Sequence, residues 1–162
     1  MPETTFPTPL GVCRISWQDD VITGFGLPDE HETMSEATDA PKWIQDIIER
    51  VGRHMNRQFQ DFSDLPFNFS QVGEFPREVY RCTLRVKAGN TCSYGEIARE
   101  LGYPSATSRA VGASLGANPW PLLVPCHRVV AANGKMTGFS GPGGIETKLK
   151  LLALEGAQLF AV

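Results

Sequence analysis

Residues 122–133 read LLVPCHRVVAAN. A run this rich in Leu and Val predicts a short buried strand, yet its centre holds Cys126, His127 and Arg128, with Pro125 in front of them. A buried thiol alone is ordinary packing. A thiol beside an imidazole and a guanidinium points to chemistry, because the thiolate is the nucleophile and a neighbouring base or cation lowers the thiol pKa from about 8.5. Pro119, Pro121 and Pro125 keep the approach extended, since proline fixes φ and restricts the residue before it. Neighbours in a regular strand point to opposite faces. Contact between His127 and Cys126 is therefore expected to be indirect, unless the chain turns there.

Immediately upstream, SATSRAVGASLG (105–116) predicts a short helix closed by Gly116. At about 100° per residue, Val111 and Leu115 face a core, whereas Arg109, Gly112, Ala113 and Gly116 share the other face. A long cation thus rises from a floor almost without side chains. Glycine inside a helix costs about 1 kcal/mol relative to alanine, so a close neighbour is implied, either another helix or a nucleic-acid backbone. Before it, SYGE (93–96) is a capping box, with Ser93 at the N-cap and Glu96 three residues on, opening a helix that stops at Gly102. Two short helices across the GYPS turn resemble a helix-turn-helix. A further helix is expected between Pro76 and Gly89, carrying Arg77, Arg81 and Arg85 at i, i+4 and i+8, a stripe facing either phosphates or solvent.

Downstream, GIETKLKLLALEGA (144–157) predicts a last helix ending at Gly156 with Glu155 in its final turn. A carboxylate there opposes the helix dipole by roughly 0.3 to 1 kcal/mol. Either it is simply exposed, or a buried imidazolium favours it, giving a Cys-His-Glu chain.

The first half is quieter. TPLGVCRISWQDDVITGFGLP reads as a hairpin turning at Asp19 and Asp20, HETMSEATDA as a polar loop, and 41–57 as an amphipathic helix with Ile44, Ile47, Ile48, Val51 and Met55 on one face. DFSDLPFNFSQVGEF is an aromatic linker expected to pack against both halves. The fold class expected is mixed α/β (α+β), with a small acidic α/β domain over 1–74 and a mainly helical domain over 75–162 that holds the helix-turn-helix and a short active-site strand. Residues 1–74 carry 5 Lys/Arg against 13 Asp/Glu, and residues 75–162 carry 10 against 5. A basic half joined to an acidic one is suited to meeting a polyanion on one side only.

Cys13, Cys82, Cys92 and Cys126 form no CxxC pair and have no His at metal-ligand spacing, so no metal site or disulfide framework is expected and a reducing, intracellular setting fits. No apolar run is long enough for a membrane span, and no signal-peptide pattern opens the chain.

Taken together, SYGEIA, SRAVGASLGANPWP, PCHRVV, GKMTGFSG and LLALEG, in this order and spacing, resemble the O6-alkylguanine-DNA alkyltransferases, also called methylated-DNA-protein-cysteine methyltransferases. The likeness runs through about residues 75–157; residues 1–74 resemble the family's N-terminal domain in layout only. The resemblance implies a single-turnover transfer of an alkyl group from O6-alkylguanine in double-stranded DNA, with O4-alkylthymine as a second substrate, to Cys126. It implies His127 as the water-mediated base, Glu155 as the group orienting it, Asn118 as the brace of the turn before the active site, and Tyr94 as a hydrogen-bond donor to the departing guanine. Arg109 matches the finger that fills the gap left by a flipped base. The DNA-contacting set is completed by Ser93, Ala106, Gly112, Ala113, Gly116 and Arg128. Pro121, Val129, Phe139 and Ser140 are the implied substrate pocket. Phe139 stands where members often carry Tyr, and SGPGGIETK, with Pro142 and Gly143, is longer than the commonest pattern. No cofactor, no metal, no membrane and no obligatory protein partner are implied, and a monomer is expected. Relatives that recognise lesions without repairing them lack the acceptor cysteine, a cysteine hydrolase has no use for Arg109, and a transcriptional sensor has a cysteine-rich zinc module that this chain lacks.

Overall fold

The computed structural model describes residues 2–28, 39–132 and 144–157. The hairpin at Asp19–Asp20 is two strands of a three-stranded antiparallel meander: β1 (Glu3–Thr8), β2 (Gly11–Gln18) and β3 (Val21–Gly26), in that spatial order. Strand β2 alternates with period two, so Cys13, Ile15 and Trp17 are buried while Arg14 and Gln18 are exposed. The turn is as short as a hairpin permits. Asp19 sits at φ 52°, a left-handed conformation that short polar side chains tolerate. Strand β1 escapes the sequence reading because Pro7 lies within it, and proline is accepted in sheets chiefly at edges, where β1 lies.

Helix α1 (Lys42–Met55) buries Ile44, Ile47, Val51, His54 and Met55, with Ile48 half-buried. The linker after it folds into two single 3₁₀ turns, Phe62–Asp64 and Phe69–Gln71. Its aromatics reach the second half: Phe67 and Phe69 lie 5.2 and 5.6 Å, centroid to centroid, from Trp120. The indole of Trp120 is fully buried and donates to the Ile22 carbonyl at 2.9 Å, while Phe25 N–H donates to the Pro119 carbonyl. The segment leading to Cys126 is thereby fastened to the sheet.

Helix α2 spans Glu74–Thr83, so Pro76 occupies its third position rather than its first. That position is harmless, because the first four N–H groups of a helix have no intrahelical partner. The helix ends well before Gly89, which instead takes φ 89° in a later turn. Helices α3 (Tyr94–Glu100) and α4 (Ser108–Gly116), the latter preceded by a 3₁₀ turn at Ser105–Thr107, form the helix-turn-helix, and α5 (Gly144–Leu154) closes the described chain. Ser93 caps α3 by accepting from Glu96 N–H at 3.0 Å, and Gly102 terminates it at φ 84°. Two-residue strands β4 (Cys92–Ser93) and β5 (Val129–Val130) pair in parallel, Cys92 with Val129 and Ser93 with Val130. This pairing sets the start of α3, and with it Tyr94, beside the segment that follows Cys126. Apolar residues of both halves join one continuous core.

Candidate active site

The strand expected around Cys126 begins only at Val129. Cys126, His127 and Arg128 form a 3₁₀ turn. Its cause lies just before it: Leu122 takes φ 76°, Val124 N–H donates to the Trp120 carbonyl at 2.8 Å, and Cys126 N–H closes back on the Val124 carbonyl at 2.7 Å. Asn118 braces this hairpin-like bend by donating to the Val124 carbonyl (3.0 Å) and accepting from Trp120 N–H (2.9 Å). Pro121 is half-buried within the bend. Because a 3₁₀ turn does not alternate faces, consecutive side chains go inward together. Cys126 is 6% exposed, Arg128 5% and His127 fully buried.

What receives the imidazole and the guanidinium is Glu155, just past the end of α5. Its Oε1 accepts from His127 Nε2 at 2.9 Å and from Arg128 Nε at 2.8 Å. Its Oε2 accepts from Arg128 Nη2 at 2.6 Å and is 2.8 Å from His54 Nε2. Arg128 also donates through Nη1 to the Val86 carbonyl. The expectation that Arg128 contacts DNA is corrected by this geometry: the guanidinium is buried and neutralises Glu155, which an ion so deeply desolvated requires. His54 was not anticipated in the site at all. In sequence it is a single polar residue on the apolar face of α1, and 101 positions separate it from Glu155.

The electrostatics divide the three groups. Desolvation alone would raise the Glu155 pKa, but hydrogen bonds from Arg128, His127 and His54 outweigh it and hold the carboxyl far below its usual range. Burial lowers His127, against the upward pull of Glu155, so the imidazole rests neutral. Its Nδ1 is buried without a hydrogen-bond partner among the described residues. Burial likewise raises the Cys126 thiol, opposed by the Asn118 side chain and by the charge of Lys148. Lys148, on the last helix, is 1% exposed and donates to the Val129 carbonyl at 2.8 Å. Its ammonium lies 6.0 Å from the centre of the Tyr94 ring. The resting nucleophile is thus a shielded thiol. Iodoacetamide at neutral pH is expected to modify Cys126 more slowly than a free cysteine, by roughly tenfold or more, as read by peptide mass spectrometry.

On the helix-turn-helix, Arg109, Ala106 and Ala113 are exposed, and Val111 and Leu115 are buried. Gly112 lies beside Tyr94: a Cβ there would meet the Tyr94 ring at 3.9 Å, an ordinary contact. Tyr94 and Gly112 therefore pack together at the base of the exposed face, with half-buried Ser93 and Gly116 nearby in sequence. The buried side of α4 is held by Tyr80, whose hydroxyl donates to the Ser114 carbonyl at 2.6 Å. Of the expected arginine stripe, Arg77 donates to the Phe69 carbonyl and Arg81 lies over the Phe69 ring, while Arg85 falls beyond the end of α2, 3.8 Å from Glu100. Val129 is buried and its carbonyl already receives Lys148. Phe139, Ser140, Pro142 and Gly143 lie outside the described residues. Among those described, no cluster of three His, Cys, Asp or Glu side chains could hold a metal, and no helix is long and apolar enough to cross a membrane.

A buried thiol with a neutral imidazole and a carboxylate behind it, set beside a helix-turn-helix, is the arrangement of a DNA-directed protein with a nucleophilic cysteine. Residues 74–157 match the family model described as 6-O-methylguanine DNA methyltransferase, DNA binding domain. The methylated-DNA–protein-cysteine methyltransferase of Mycolicibacterium paratuberculosis is 37% identical over 153 residues, covering 93% of this chain and 90% of that protein. The enzyme of the same name from Mycobacterium leprae is 45% identical over 156 residues, covering 94% and 91%. A crystal structure of Mycobacterium tuberculosis OGT in complex with DNA superposes with a TM-score of 0.79 at 32% identity, covering 94% of this chain and 92% of that one. The chain belongs to the methylated-DNA–protein-cysteine methyltransferase family.

Proposed function

We propose that the protein repairs double-stranded DNA by moving the alkyl group of O6-alkylguanine onto Sγ of Cys126, once per molecule. The observation that carries this reading is the Cys126 turn itself, which aims His127 at Glu155 and leaves Nδ1 of the imidazole unclaimed. With Nε2 committed to the carboxylate, Nδ1 takes the thiol proton through a bridging water, and Glu155 stabilises the imidazolium that forms. The thiolate attacks the alkyl carbon, a C–S bond forms, the C–O6 bond breaks, and the electron pair leaves on the guanine. A proton delivered to the purine as that charge develops restores guanine; Tyr94, at the first position of α3, is the donor. The reaction balances without a cofactor, because the alkyl donor is the DNA.

A lesion inside a stacked duplex cannot reach a thiol that is 6% exposed, so the base is flipped into the protein at a cost of a few kcal/mol. Arg109, exposed on α4, fills the vacated space in the stack, while Ala106, Ala113 and Gly116 let the backbone approach closely. Minor-groove binding through so bare a face reads little sequence. The basic residues 75–162 meet DNA and the acidic residues 1–74 stay clear of it, which supports a division near residue 74. A reducing intracellular setting fits the four free cysteines, and the protein works there as a monomer with no obligatory protein partner.

The product is a thioether, which water does not cleave under mild conditions. Incubation with excess duplex bearing O6-methylguanine is expected to add one methyl group per protein molecule, located on Cys126 by peptide mass spectrometry, and then to stop. Repeated turnover, or a protein whose mass does not change, overturns the reading.

A further inference from the structure

We propose that His54, contributed by the acidic N-terminal half, is a positioning residue for alkyl transfer that anchors Glu155 and through it the basicity of His127; this rests on the alkyl-transfer reading above. His54 occupies the last turn of α1, fully buried, on a face otherwise built of Ile44, Ile47, Val51 and Met55. An aliphatic side chain would serve that face as well, so an imidazole there needs a polar reason. Two contacts supply it. The Gln60 backbone N–H donates to His54 Nδ1 at 3.1 Å, which places the neutral ring's proton on Nε2, and Nε2 then donates to Glu155 Oε2 at 2.8 Å. Rings of Phe59 and Phe62, at 5.3 and 5.5 Å, hold the imidazole from the sides.

The geometry gives His54 a role that Arg128 does not have. Arg128 and His127 are adjacent in one 3₁₀ turn, so hydrogen bonds from both move together with that turn. His54 is attached to a different element and grips the opposite carboxylate oxygen from the one that holds His127. It fixes the carboxylate to the frame of α1, and the carboxylate in turn fixes the imidazole. The charged and titratable groups facing this point are Glu155, His127 and Arg128. Second-layer hydrogen bonds of this kind commonly govern reactivity by 10- to 100-fold, roughly, in metal sites, where the physics of orienting an imidazole is the same.

The test compares His54→Leu, His54→Asn and His54→Gln with the wild-type chain. The Gln amide nitrogen reaches approximately where Nε2 stands; the Asn amide is too short to reach Glu155, and Leu offers no donor. Single-turnover rates on O6-methylguanine duplex are expected to fall on the order of 10-fold for Leu and Asn and to stay within a few-fold of wild type for Gln. DNA affinity should not change. The acid limb of the rate profile should shift in Leu and Asn, because the substitution changes both the hold of the carboxylate on the His127 imidazolium and the direct influence of His54, which lowers His127. NMR titration of His127, which needs no DNA, should move in the same direction. Unshifted His127 titration with wild-type rates in the Asn variant, or Gln and Asn equally impaired, overturns the role of His54. A wild-type protein that forms no adduct while His127 still shifts in the variants instead defeats the alkyl-transfer reading and leaves the anchor standing.

Discussion

A Glu155→Ala chain is expected to lose about 3–5 kcal/mol of folding stability, the usual consequence of removing one member of a buried ion pair, together with nearly all transfer activity. The reason is that Glu155 meets every obligation of the cluster at once. Each of its oxygens takes two donors, so the carboxylate's four acceptor positions are filled. Without it, Arg128 is a buried cation with only the Val86 carbonyl as acceptor among the described residues, and the Nε2 atoms of His54 and His127 lose their partner. Hydrophobic replacement of a whole buried cluster often costs little, whereas removal of its anion alone leaves an uncompensated charge. Urea unfolding of wild type and variant at neutral pH measures the loss, and a difference below about 1 kcal/mol, the level of an exposed pair, is incompatible with the buried geometry.

The same cluster dictates how stability depends on pH. The Glu155 carboxyl is depressed in the folded state, so its contribution is complete above the unfolded carboxyl pKa of about 4.3 and erodes as pH falls below it. His127 is also lower in the folded state, because burial disfavours its charged form; as pH falls through about 6.5 the unfolded chain takes up a proton that the folded one refuses. Acid therefore acts in two windows. The gap between wild type and Glu155→Ala should narrow below about pH 4.

How much of this was legible beforehand depended on the range of the interaction. The α1 stripe, the turn at Asp19–Asp20 and the Ser93 cap are set by neighbours within a few positions, and each appears in the fold where local periodicity and turn chemistry place it. Cys126 was assigned to a strand because LLVPCHRVV has the composition of one; the competing cause, the left-handed Leu122 and the backbone bonds that fold 120–126 back on itself, has no compositional signal. The sequence assigns Arg128 to the thiol and to DNA and gives Lys148 no role, because the acceptor of neither is visible locally. Their burial follows from acceptors supplied by α5 and by the Val129 carbonyl, partners 27 and 19 residues away. A polar residue on an apolar helix face was the one available sign of His54, and the stripe was read without it. Glu155 offers more: a carboxylate at a helix C-terminus is misplaced electrostatically, and a buried imidazolium is one of the two readings that misfit leaves open.

Cys126→Ser is expected to abolish transfer, by roughly four orders of magnitude or more, while leaving the fold and DNA binding in place. The hydroxyl is smaller than the thiol but inherits the Asn118 side chain as a hydrogen-bond partner, so the stability cost should stay near about 1 kcal/mol. Chemistry is another matter. A buried site that already raises a thiol imposes the same desolvation on an alkoxide, and an alcohol starts as a far weaker acid, so neutral His127 has no means of generating the nucleophile. None of the other cysteines offers a substitute. Cys13 is fully buried beneath the sheet, and burial raises both Cys82 and Cys92, the latter to about 12. Lesion-bearing duplex should consequently be bound by the serine variant with wild-type affinity and recovered with its methyl group intact, as judged by nuclease digestion and nucleoside mass analysis. Demethylated DNA recovered from that variant, with the methyl group on Cys82, Cys92 or any other residue, would remove Cys126 from the centre of the mechanism.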